Sequence, residues 1–467
     1  MNQPYTIQTP FQFKLGPRSM GIKLLLVCGL ALIMIIPAVF VESIVEDRQN
    51  RENGVVNEIS DSVGGPQTFL GPVLAIPYTV PPQSKQDTVS HGMYIVSPAE
   101  ASAFVKTTTE ERHRSLFKVP VYQANLKLDS HFNLNNTPSD APEGAQLDWG
   151  RAEIFVGASG ARGALSDATL QVNGQTLTLT PAGDAQSIVL DQNQKTPLRL
   201  TLFGAQIPGL AAPNAQFSVA SSMHFSGAQR LAILAYGKTT HLTEQSDWPN
   251  PSFDGGFLPA KRTLTPQGFT AEWSVPFIAR GVRAEGPSGL ISGLTHTALG
   301  VTFVEVADPY QSVTRAMKYV PLFLGLVFLT YFIFEVTTGK RVHPAQYVLV
   351  GIAQLIFYLL LLSFAERIGF DFGFLIAGAA SVALLATNAG WIFASRLQGF
   401  RALAVFGLLY TLIYLLLRLE DNALMVGAIA SFAAVAAAMY FTRSIDWYGS
   451  LPSSQGGDGQ TGAIHAG

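Results

Sequence analysis

Long apolar runs that lack Asp, Glu, Lys and Arg divide this chain into three parts. One run covers residues 24–41, and five more follow residue 318. The intervening residues 43–316 contain no run long enough to cross a bilayer. Because the hydrocarbon core is about 30 Å thick and a helix rises about 1.5 Å per residue, a span needs roughly 17 to 25 mainly apolar residues. The pattern predicts an integral membrane protein.

The five later runs are crowded near the C-terminal end, so six transmembrane helices are predicted in a one-plus-five arrangement. Two of the runs have only 16 residues. Lys318, Arg401 and Arg418 flank these two runs and can extend toward the lipid head groups. We expect the five helices to form one compact bundle over residues 319–441. Their predicted bounds are 319–334, 347–364, 372–395, 402–417 and 423–441.

Basic residues in short loops indicate the orientation, because Lys and Arg are retained on the cytoplasmic side. Lys14, Arg18 and Lys23 precede the first span. On the opposite side, only Arg367 and Arg418 fall in short loops. Six crossings bring further basic residues to the side of the N-terminus, namely Lys340, Arg341, Arg396, Arg401 and Arg443.

This orientation assigns each part of the chain to a compartment. Residues 1–23 and a disordered tail, 442–467, are expected in the cytoplasm, and the domain formed by residues 42–318 is expected on the outer side. The first run, 24–41, has 18 residues, which is longer than the roughly 7 to 15 of a signal-peptide core. It is therefore predicted to be an uncleaved signal anchor. A cleaved signal peptide would leave the domain attached at its C-terminal end alone.

Composition agrees with a membrane protein and excludes some partners. Charged residues make up 13% of the chain, the formal net charge is -2 and the pI is near 6.5, so no basic surface for nucleic acid is implied. Cys28 is the one cysteine and lies in the first span. The outer domain can therefore form no internal disulfide, and its stability must come from a packed core.

The outer domain is predicted to be β-rich, with a sandwich or barrel architecture built as one large unit or two smaller ones. The clearest hairpin surrounds Asn173 and Gly174, because Asn-Gly supplies the positive φ angles of a type I′ turn. Residues 42–60, polar with scattered Ile and Val, are expected to continue the first helix out of the membrane. The predicted strands, separated by Gly, Pro, Asn and Asp, are 73–80, 93–96, 116–128, 154–156, 168–179, 198–202, 216–225, 231–236 and 269–277.

Residues 247–259, "DWPNPSFDGGFLP", form what we call the aromatic segment. Proline lacks a backbone donor and glycine weakens strands, so this composition predicts a packed loop rather than a strand. Its aromatic residues, Trp248, Phe253 and Phe257, favour burial. Two interpretations remain open: a recognition loop that presents these three residues to a partner, and a loop that only closes the β domain.

Catalytic and metal-binding signatures are missing from the sequence, and we predict no enzyme, no cofactor and no metal site. Residues 232–239, "AILAYGKT", end like a phosphate-binding loop but have Ala232 in place of its first glycine, so a hairpin turn is predicted there. The closest histidines of the outer domain, His224 and His241, are 17 residues apart. The charged residues 107–115 are expected to lie in a solvated loop or at a strand edge.

The predicted spans carry few polar groups. Intramembrane charges mark ion pathways, and none lies inside the apolar runs, so coupled transport is disfavoured. Asn388 and Gln354 are expected to form interhelical hydrogen bonds. The candidate contacts at the membrane interface are Glu335, at the cytoplasmic end of the second span, Glu366 and Arg367, at the outer end of the third, and Asn388 in the fourth.

Several segments resemble the CreD family of bacterial inner-membrane proteins, and the resemblance extends over nearly the whole chain. The resemblance implies a bacterial inner-membrane protein, so the outer domain predicted above would be periplasmic. It also implies a role in cell-envelope integrity, linked to the Cre two-component response, colicin tolerance and β-lactam susceptibility. The segments that carry it are "TFLGPVLAIPY" (68–78), "RSLFKVPVYQANL" (114–126), "SDWPNPSFDGGFLP" (246–259), "DPYQSVTRAMKYVPLF" (308–323) and "HPAQYVLVGIAQLIFYLLLLSFAERIGF" (343–370).

The chain departs from the family pattern at two places. The family often has Ser-Glu-His after the third span, where this chain has Ala365, Glu366 and Arg367. The family's Ser-Asp-x-Arg-Gly turn is replaced at 159–163 by "SGARG", which removes one carboxylate. The resemblance implies no catalytic residue.

The sequence thus predicts a non-enzymatic envelope protein in which a β-rich periplasmic domain is tethered at both ends to membrane helices. Its expected partners are the lipid bilayer and a periplasmic protein or peptidoglycan; nucleic acid is not expected. Three alternatives remain. A transporter or flippase would use the C-terminal bundle, an envelope enzyme would assemble a site only in three dimensions, and a sensor would couple the domain to the cytoplasmic loops.

Overall fold

The computed structural model describes residues 20–443 except for 83–87, 115–116, 136, 183–186, 190–198, 211–214, 305–308 and 419–422. The chain divides into two compact units. The helical unit comprises Met1–Gln49 and Ala307–Gly467, and the β unit comprises Asn50–Val306. The predictions for the two cytoplasmic tails fall mainly on residues 1–19 and 444–467, which lie outside the described residues.

Ten helices are present among the described residues. Five stretches are long and apolar enough to cross a membrane: residues 20–62, formed by α1 and α2, and the helices α6, α7, α8 and α9. They confirm a membrane protein with a β domain inserted between apolar helices. The helices are α1 Met20–Ile33, α2 Ile35–Ser62, α3 Phe277–Arg280, α4 Gly289–Gly293, α5 Pro309–Met317, α6 Val320–Thr338, α7 Pro344–Ile368, α8 Phe370–Ile392, α9 Arg396–Arg418 and α10 Ala423–Thr442.

The first span continues as a helix beyond its apolar run, as the polar residues 42–60 predict. A single turn residue, Met34, separates α1 from α2, and Pro37 lies in the first turn of α2, where its missing N–H costs no helical hydrogen bond. The last part of α2 belongs to the β unit. There Val56 and Ile59 pack against a small cluster that includes Val119.

The helices of the C-terminal bundle coincide with the predicted apolar runs, and several of them extend beyond a run at one or both ends. α6 has 19 residues because it continues past Glu335, and α9 has 23 because it includes Arg396, Arg401 and Arg418. Both helices are therefore longer than the 16-residue apolar runs that predicted them. Pro344 starts α7 as expected, and His343 caps the helix by accepting a hydrogen bond from the Ala345 amide at 3.2 Å.

Small residues let the bundle helices approach closely. α8 contacts both α7 and α9, and its predicted packing residues Ala377 and Ser381 are buried. A Cβ atom on Gly373 of α8 would lie 2.8 Å from the Ala365 nitrogen of α7, so a larger residue would push these helices apart. The other predicted stripe, Ala430, Ala434 and Ala438, has side chains outside the described residues.

The β unit contains two sheets of 11 and 8 strands in its described part. The central order of the first sheet is β10-β11-β6-β1-β13-β19-β15, and that of the second is β16-β17-β14-β3-β4-β12-β7-β8. The strands are β1 Gln67–Val80, β2 Ser90–Val96, β3 Glu100–Arg114, β4 Phe117–Asn133, β5 Gln146–Leu147, β6 Glu153–Ala158, β7 Thr169–Val172, β8 Gln175–Thr178, β9 Thr180–Pro181, β10 Ser187–Val189, β11 Arg199–Gln206, β12 Gln216–Ala228, β13 Arg230–Leu234, β14 Thr239–Ser246, β15 Pro251–Gly255, β16 Lys261–Thr265, β17 Gly268–Val275, β18 Glu285–Pro287 and β19 Ala298–Phe303.

The two sheets pack on each other through buried clusters that contain residues of both. Phe69 and Leu70 of β1 in the first sheet belong to the same buried cluster as Val105 and Leu126 in the second. Along β3 and β4, buried and exposed residues alternate, as expected for strands with one face on a core. The β unit is therefore one large sandwich rather than two smaller β units.

Most predicted strands and the Asn-Gly hairpin are confirmed. Asn173 and Gly174 have φ angles of 49° and 85° and join β7 to β8. The hairpin predicted at residues 232–239 is wrong: β13 pairs in the first sheet and β14 in the second, so the chain crosses between the sheets there. The charged residues 107–115 lie at the end of β3, which pairs with β4 along its length; Ser115 lies outside the described residues.

Candidate functional site

The aromatic segment contains an edge strand, contrary to the loop predicted from its prolines and glycines. Pro251–Gly255 forms β15, which pairs antiparallel with β19 at the end of the first sheet. An edge strand tolerates proline because one side of its backbone needs no ladder partner. The segment therefore adds to the sandwich instead of standing apart from it.

Two glycines allow the chain to leave β15 close to the strand that it pairs with. Gly255 has a φ angle of 99°, and a Cβ atom there would lie 2.1 Å from the Ala298 carbonyl oxygen. A Cβ atom on Gly256 would lie 1.9 Å from the His296 carbonyl oxygen. The "DGG" sequence is thus explained by close backbone approach.

Trp248 is part of the core of the β unit. Its side chain is 8% exposed, and its indole Nε1 donates to the carbonyl oxygens of Asn250 at 3.1 Å and Val304 at 3.3 Å. The ring meets Phe303 edge to face at 6.4 Å between centroids. A partner could reach this ring only if the segment moved.

Phe253 and Phe257 are partly buried and keep some exposed surface. The Phe253 ring packs edge to face on Phe269 and Trp273, at centroid distances of 5.6 and 5.8 Å. The Phe257 carbonyl accepts a hydrogen bond from Trp273 Nε1 at 3.1 Å. Next to it, Leu258 is 69% exposed. The apolar surface that the segment exposes is therefore formed by Phe253, Phe257 and Leu258.

A charged cluster beside the aromatic segment was not anticipated from the sequence. Asp254 of β15 accepts hydrogen bonds from Arg230 Nη2 at 2.7 Å and from Thr302 Oγ1 at 2.6 Å. Burial alone would raise the pKa of Asp254, but the hydrogen bonds from Arg230 and Thr302 lower it on balance. Asp254 is therefore ionised at neutral pH.

Glu244 of β14 lies close to this cluster inside the sandwich. It is 0% exposed, and neither carboxylate oxygen has a hydrogen-bond partner among the residues that the structure describes. Burial, followed by the negative charge of Asp254, raises the pKa of Glu244 to about 8. The alternation of inward and outward residues along β14 could have indicated that Glu244 is buried, because Glu244 follows Thr240 and Leu242 on the inward face.

A shallow polar groove lies on the outer face of the second sheet, with a volume of about 300 Å³. Strand register aligns His241, Ser102 and Asp129 across neighbouring strands. In the next row His131 Nδ1 lies 3.2 Å from Ser218 Oγ. This groove is a second surface on which the β unit could meet a polar ligand.

In the helical unit, Glu335 is buried and fully engaged. It is 1% exposed, forms an ion pair with Lys23 of α1 and accepts hydrogen bonds from the Val342 amide and the Tyr347 hydroxyl, both at 3.1 Å. Nothing in the sequence indicated that Lys23 and Glu335 pair, because 312 positions separate them. This cluster joins the start of α1 to the end of α6 and the start of α7.

Glu366 and Arg367, at the end of α7, have different environments. Glu366 is half-buried and accepts a hydrogen bond from the Tyr310 hydroxyl of α5 at 2.7 Å, whereas Arg367 is exposed. Nearby, Asp371 at the start of α8 pairs with Arg418 at the end of α9. These contacts form a polar layer at the end of the bundle opposite to Glu335.

Asn388 forms an interhelical hydrogen bond, from its Nδ2 to the Tyr331 hydroxyl of α6 at 3.3 Å. Tyr331 in turn donates to the Leu385 carbonyl at 2.9 Å. Gln354 of α7 similarly accepts from the Tyr410 hydroxyl of α9 at 3.2 Å. Both residues therefore connect neighbouring helices, which is the role expected for polar groups in an apolar bundle.

Comparison with known proteins decides the family. The family model described as inner membrane protein CreD matches residues 19–448. The chain belongs to the CreD family. The inner membrane protein CreD of Escherichia coli (strain K12) is 31% identical over 447 residues, which cover 91% of this chain and 93% of that protein. The CreD match and the apolar helices together support an inner-membrane protein with several spans.

One departure from the CreD pattern has a structural explanation in this chain. In the turn at 159–163, a Cβ atom on Gly160 would lie 2.1 Å from the Gly64 carbonyl oxygen. The buried Gln67 side chain closes the same turn, because its Nε2 donates to the Gly64 oxygen at 2.8 Å and its Oε1 accepts from the Gly160 amide at 3.1 Å. An aspartate at position 160 would not fit this packing.

Proposed function

We propose that this CreD family member is a non-enzymatic protein that contributes to cell-envelope integrity by holding its β unit at the periplasmic face of the inner membrane. The observation that carries the proposal is the insertion of the β unit, Asn50–Val306, between the apolar N-terminal helix and the C-terminal bundle. Before the domain lies the apolar part of residues 20–62, and after it α5 leads to the apolar helix α6. A domain tied twice to one membrane cannot diffuse away, and its surfaces remain near the envelope layers that border that membrane.

The distribution of polar contacts in the bundle supports a periplasmic β unit and cytoplasmic termini. The Glu335 cluster contains Lys23, and the following loop contains Lys340, whose Nζ donates to the Phe393 carbonyl between α8 and α9. The start of α1 and these two loops therefore lie at one end of the bundle. Basic residues concentrate at this end, which favours its cytoplasmic placement.

The aromatic segment is the surface that we assign to a periplasmic partner, either a protein or peptidoglycan. Phe253, Phe257 and Leu258 form an apolar edge, and partly exposed aromatic residues are enriched where proteins bind one another. Colicin tolerance and β-lactam susceptibility are the envelope phenotypes that the family resemblance adds to this proposal.

Topology is tested with reporter fusions to the full chain. A periplasm-active reporter placed after Gly150 is expected to be active, and the same reporter placed after Lys340 is expected to be inactive. A cytoplasm-active reporter should give the opposite pattern. Activity of one reporter at both positions would contradict the double tether.

The envelope role is tested in a strain that lacks the gene and is then complemented with the full chain. We expect the deletion strain to change in sensitivity to detergent, colicin or β-lactam, and complementation to restore the original sensitivity. Photo-cross-linking from Phe253 and Phe257 in growing cells then identifies the partner, with outward-facing Lys127 of β4 as the control position. Unchanged sensitivity to all three agents would overturn the proposed role.

A further inference from the structure

Glu244 combines complete burial with the lack of a partner. β14 lies between β3 and β17 in the second sheet, and the Glu244 side chain faces the core. Both its oxygens lack a hydrogen-bond partner among the described residues. An ionised carboxylate in such a place is strongly disfavoured, whereas a neutral carboxyl is tolerated.

The neighbouring strands of the same sheet offer no titratable group on the inward face near Glu244. In the strand register, Glu244 lies opposite Val105 on β3 and Ala271 on β17. Beyond Ala271, Arg262 of β16 occupies the same cross-strand row. Arg262 is exposed and lies over the Phe253 ring, 6.0 Å from its centroid.

Two further groups on other strands lie close enough to Glu244 to interact with it electrostatically: Asp254 on β15 and Tyr122 on β4. Arg230 is already paired with Asp254. Tyr122 donates its hydroxyl proton to the Arg230 carbonyl oxygen at 2.8 Å, so it is also engaged. If Glu244 ionised in place, its negative charge would lie near that of Asp254, and the only cation of this cluster among the described residues, Arg230, is already paired with Asp254.

Displacement of the edge strand β15 would separate the two carboxylates while breaking the fewest backbone hydrogen bonds. This strand has a ladder neighbour on one side, β19, and it carries Asp254. Moving β15 outward would separate Asp254 from Glu244 and admit water. Strands with partners on both sides would have to break two ladders to achieve the same result.

We propose that Glu244 is a proton-controlled latch on β15. The protonated side chain keeps β15 and the aromatic segment packed against the sandwich, and loss of the proton favours an open edge in which Trp248, Phe253 and Phe257 gain exposure. The latch concerns the β unit alone and does not depend on the envelope role proposed above.

Linkage gives the direction of the pH response. In the closed form the pKa of Glu244 is about 8, and in an open, hydrated form it returns toward 4.5. Between these values opening releases a proton, so the open population rises up to about tenfold per pH unit. Above about pH 8 both forms are ionised and the effect levels off. Lower pH therefore favours the closed form.

Hydrogen exchange of the full chain in detergent micelles tests the latch. After correction for intrinsic exchange rates, the amides of residues 252–255 and 299–303 should lose up to about tenfold protection per pH unit between pH 5 and 8. In Glu244→Gln, a neutral mimic of the protonated form, protection of these amides should not depend on pH. Glu272→Gln, at an exposed position on β17, serves as the matched control and should behave like the wild type.

A second variant, Glu244→Leu, keeps the test decisive if the glutamine variant does not fold, because leucine also removes the titrating group. Pulse labelling at one fixed pH after incubation at different pH values provides an independent readout. Protection at β15 that is constant from pH 5 to 8 in the wild type would overturn the latch. A wild-type pH dependence that survives in a folded Glu244 variant would overturn it as well.

Discussion

The helical unit and the β unit each bury one glutamate almost completely, but they accommodate it by different means. Glu335 is 1% exposed and is met by the ammonium group of Lys23, a tyrosine hydroxyl and a backbone amide. Glu244 is 0% exposed and has no hydrogen-bond partner among the described residues. Lys23 supplies the first carboxylate with a cation, whereas burial and the charge of Asp254 favour the protonated form of the second.

Burial alone therefore does not determine how a carboxylate is stabilised. A paired carboxylate makes the structure sensitive to loss of its partner, because the remaining charge is stranded. A protonated carboxylate makes the structure sensitive to pH, because the unfolded chain releases the proton more easily. Variants that remove Lys23 in the helical unit, or the titrating group of Glu244 in the β unit, should therefore have different effects on stability and on its dependence on pH.

The largest effect is expected for Lys23→Met. Removing the ammonium group leaves Glu335 buried without a counter-charge, and breaking such a pair costs roughly 3 to 5 kcal/mol. The measurement is thermal unfolding of the purified protein in detergent micelles. Lys318→Met, at an exposed position beside the second span, is the matched control and should change little. The double variant Lys23→Met with Glu335→Gln should recover much of the lost stability, because it removes the unpaired buried charge. A double variant as unstable as Lys23→Met would contradict this explanation.

Glu244→Gln should stabilise the β unit at neutral pH and remove part of its pH dependence. Because the folded-state pKa of about 8 is above 4.5, the proton contributes stability that is complete below pH 4.5 and is lost as the pH rises toward 8. At pH 7 the variant should gain about 3 kcal/mol relative to wild type, since each pH unit corresponds to about 1.4 kcal/mol. Denaturant unfolding at pH 5 and pH 8 measures the difference. An equal gain at both pH values would contradict the protonated state.

Thr302→Val tests the charged cluster next to Glu244. The substitution removes the hydrogen bond from Thr302 to Asp254 and keeps the shape of the side chain. Hydrogen bonds to charged groups contribute about 1.5 to 3 kcal/mol, and partial exposure of Asp254 places the expected loss at the lower end. The pKa of Asp254 should rise, because one of the groups that lower it is gone. Titration of the Asp254 carboxyl by NMR checks this direction, and Thr263→Val, at an exposed position on β16, is the control.

Asn388→Leu should have the smallest effect of the four. It removes one interhelical hydrogen bond, and such bonds are worth roughly 0.6 kcal/mol in membrane bundles. Tyr331 keeps its bond to the Leu385 carbonyl, so no buried hydroxyl loses all its partners. Thermal unfolding and the envelope phenotype should both remain near wild type. Loss of solute uptake with normal protein levels would instead favour the transporter alternative.

Several features of this protein were determined by local sequence patterns. The apolar runs predicted the spans, because a bilayer imposes a minimum length on any helix that crosses it. Asn173 and Gly174 predicted a hairpin because their backbone preferences suit its turn. Pro344 marked the start of α7 for the same local reason. Each of these signals depends on a few neighbouring residues, so no knowledge of distant contacts was needed.

The candidate sites were decided by the tertiary structure, because their residues are far apart in the chain. Lys23 and Glu335 meet only after α1 packs beside α6, and Glu244 approaches Asp254 only when two sheets close on each other. The prolines of the aromatic segment argued against a strand, yet β15 forms because an edge position leaves one side of the ladder free. Local composition could not reveal that position, since a strand becomes an edge only through the order in which the whole sheet is assembled.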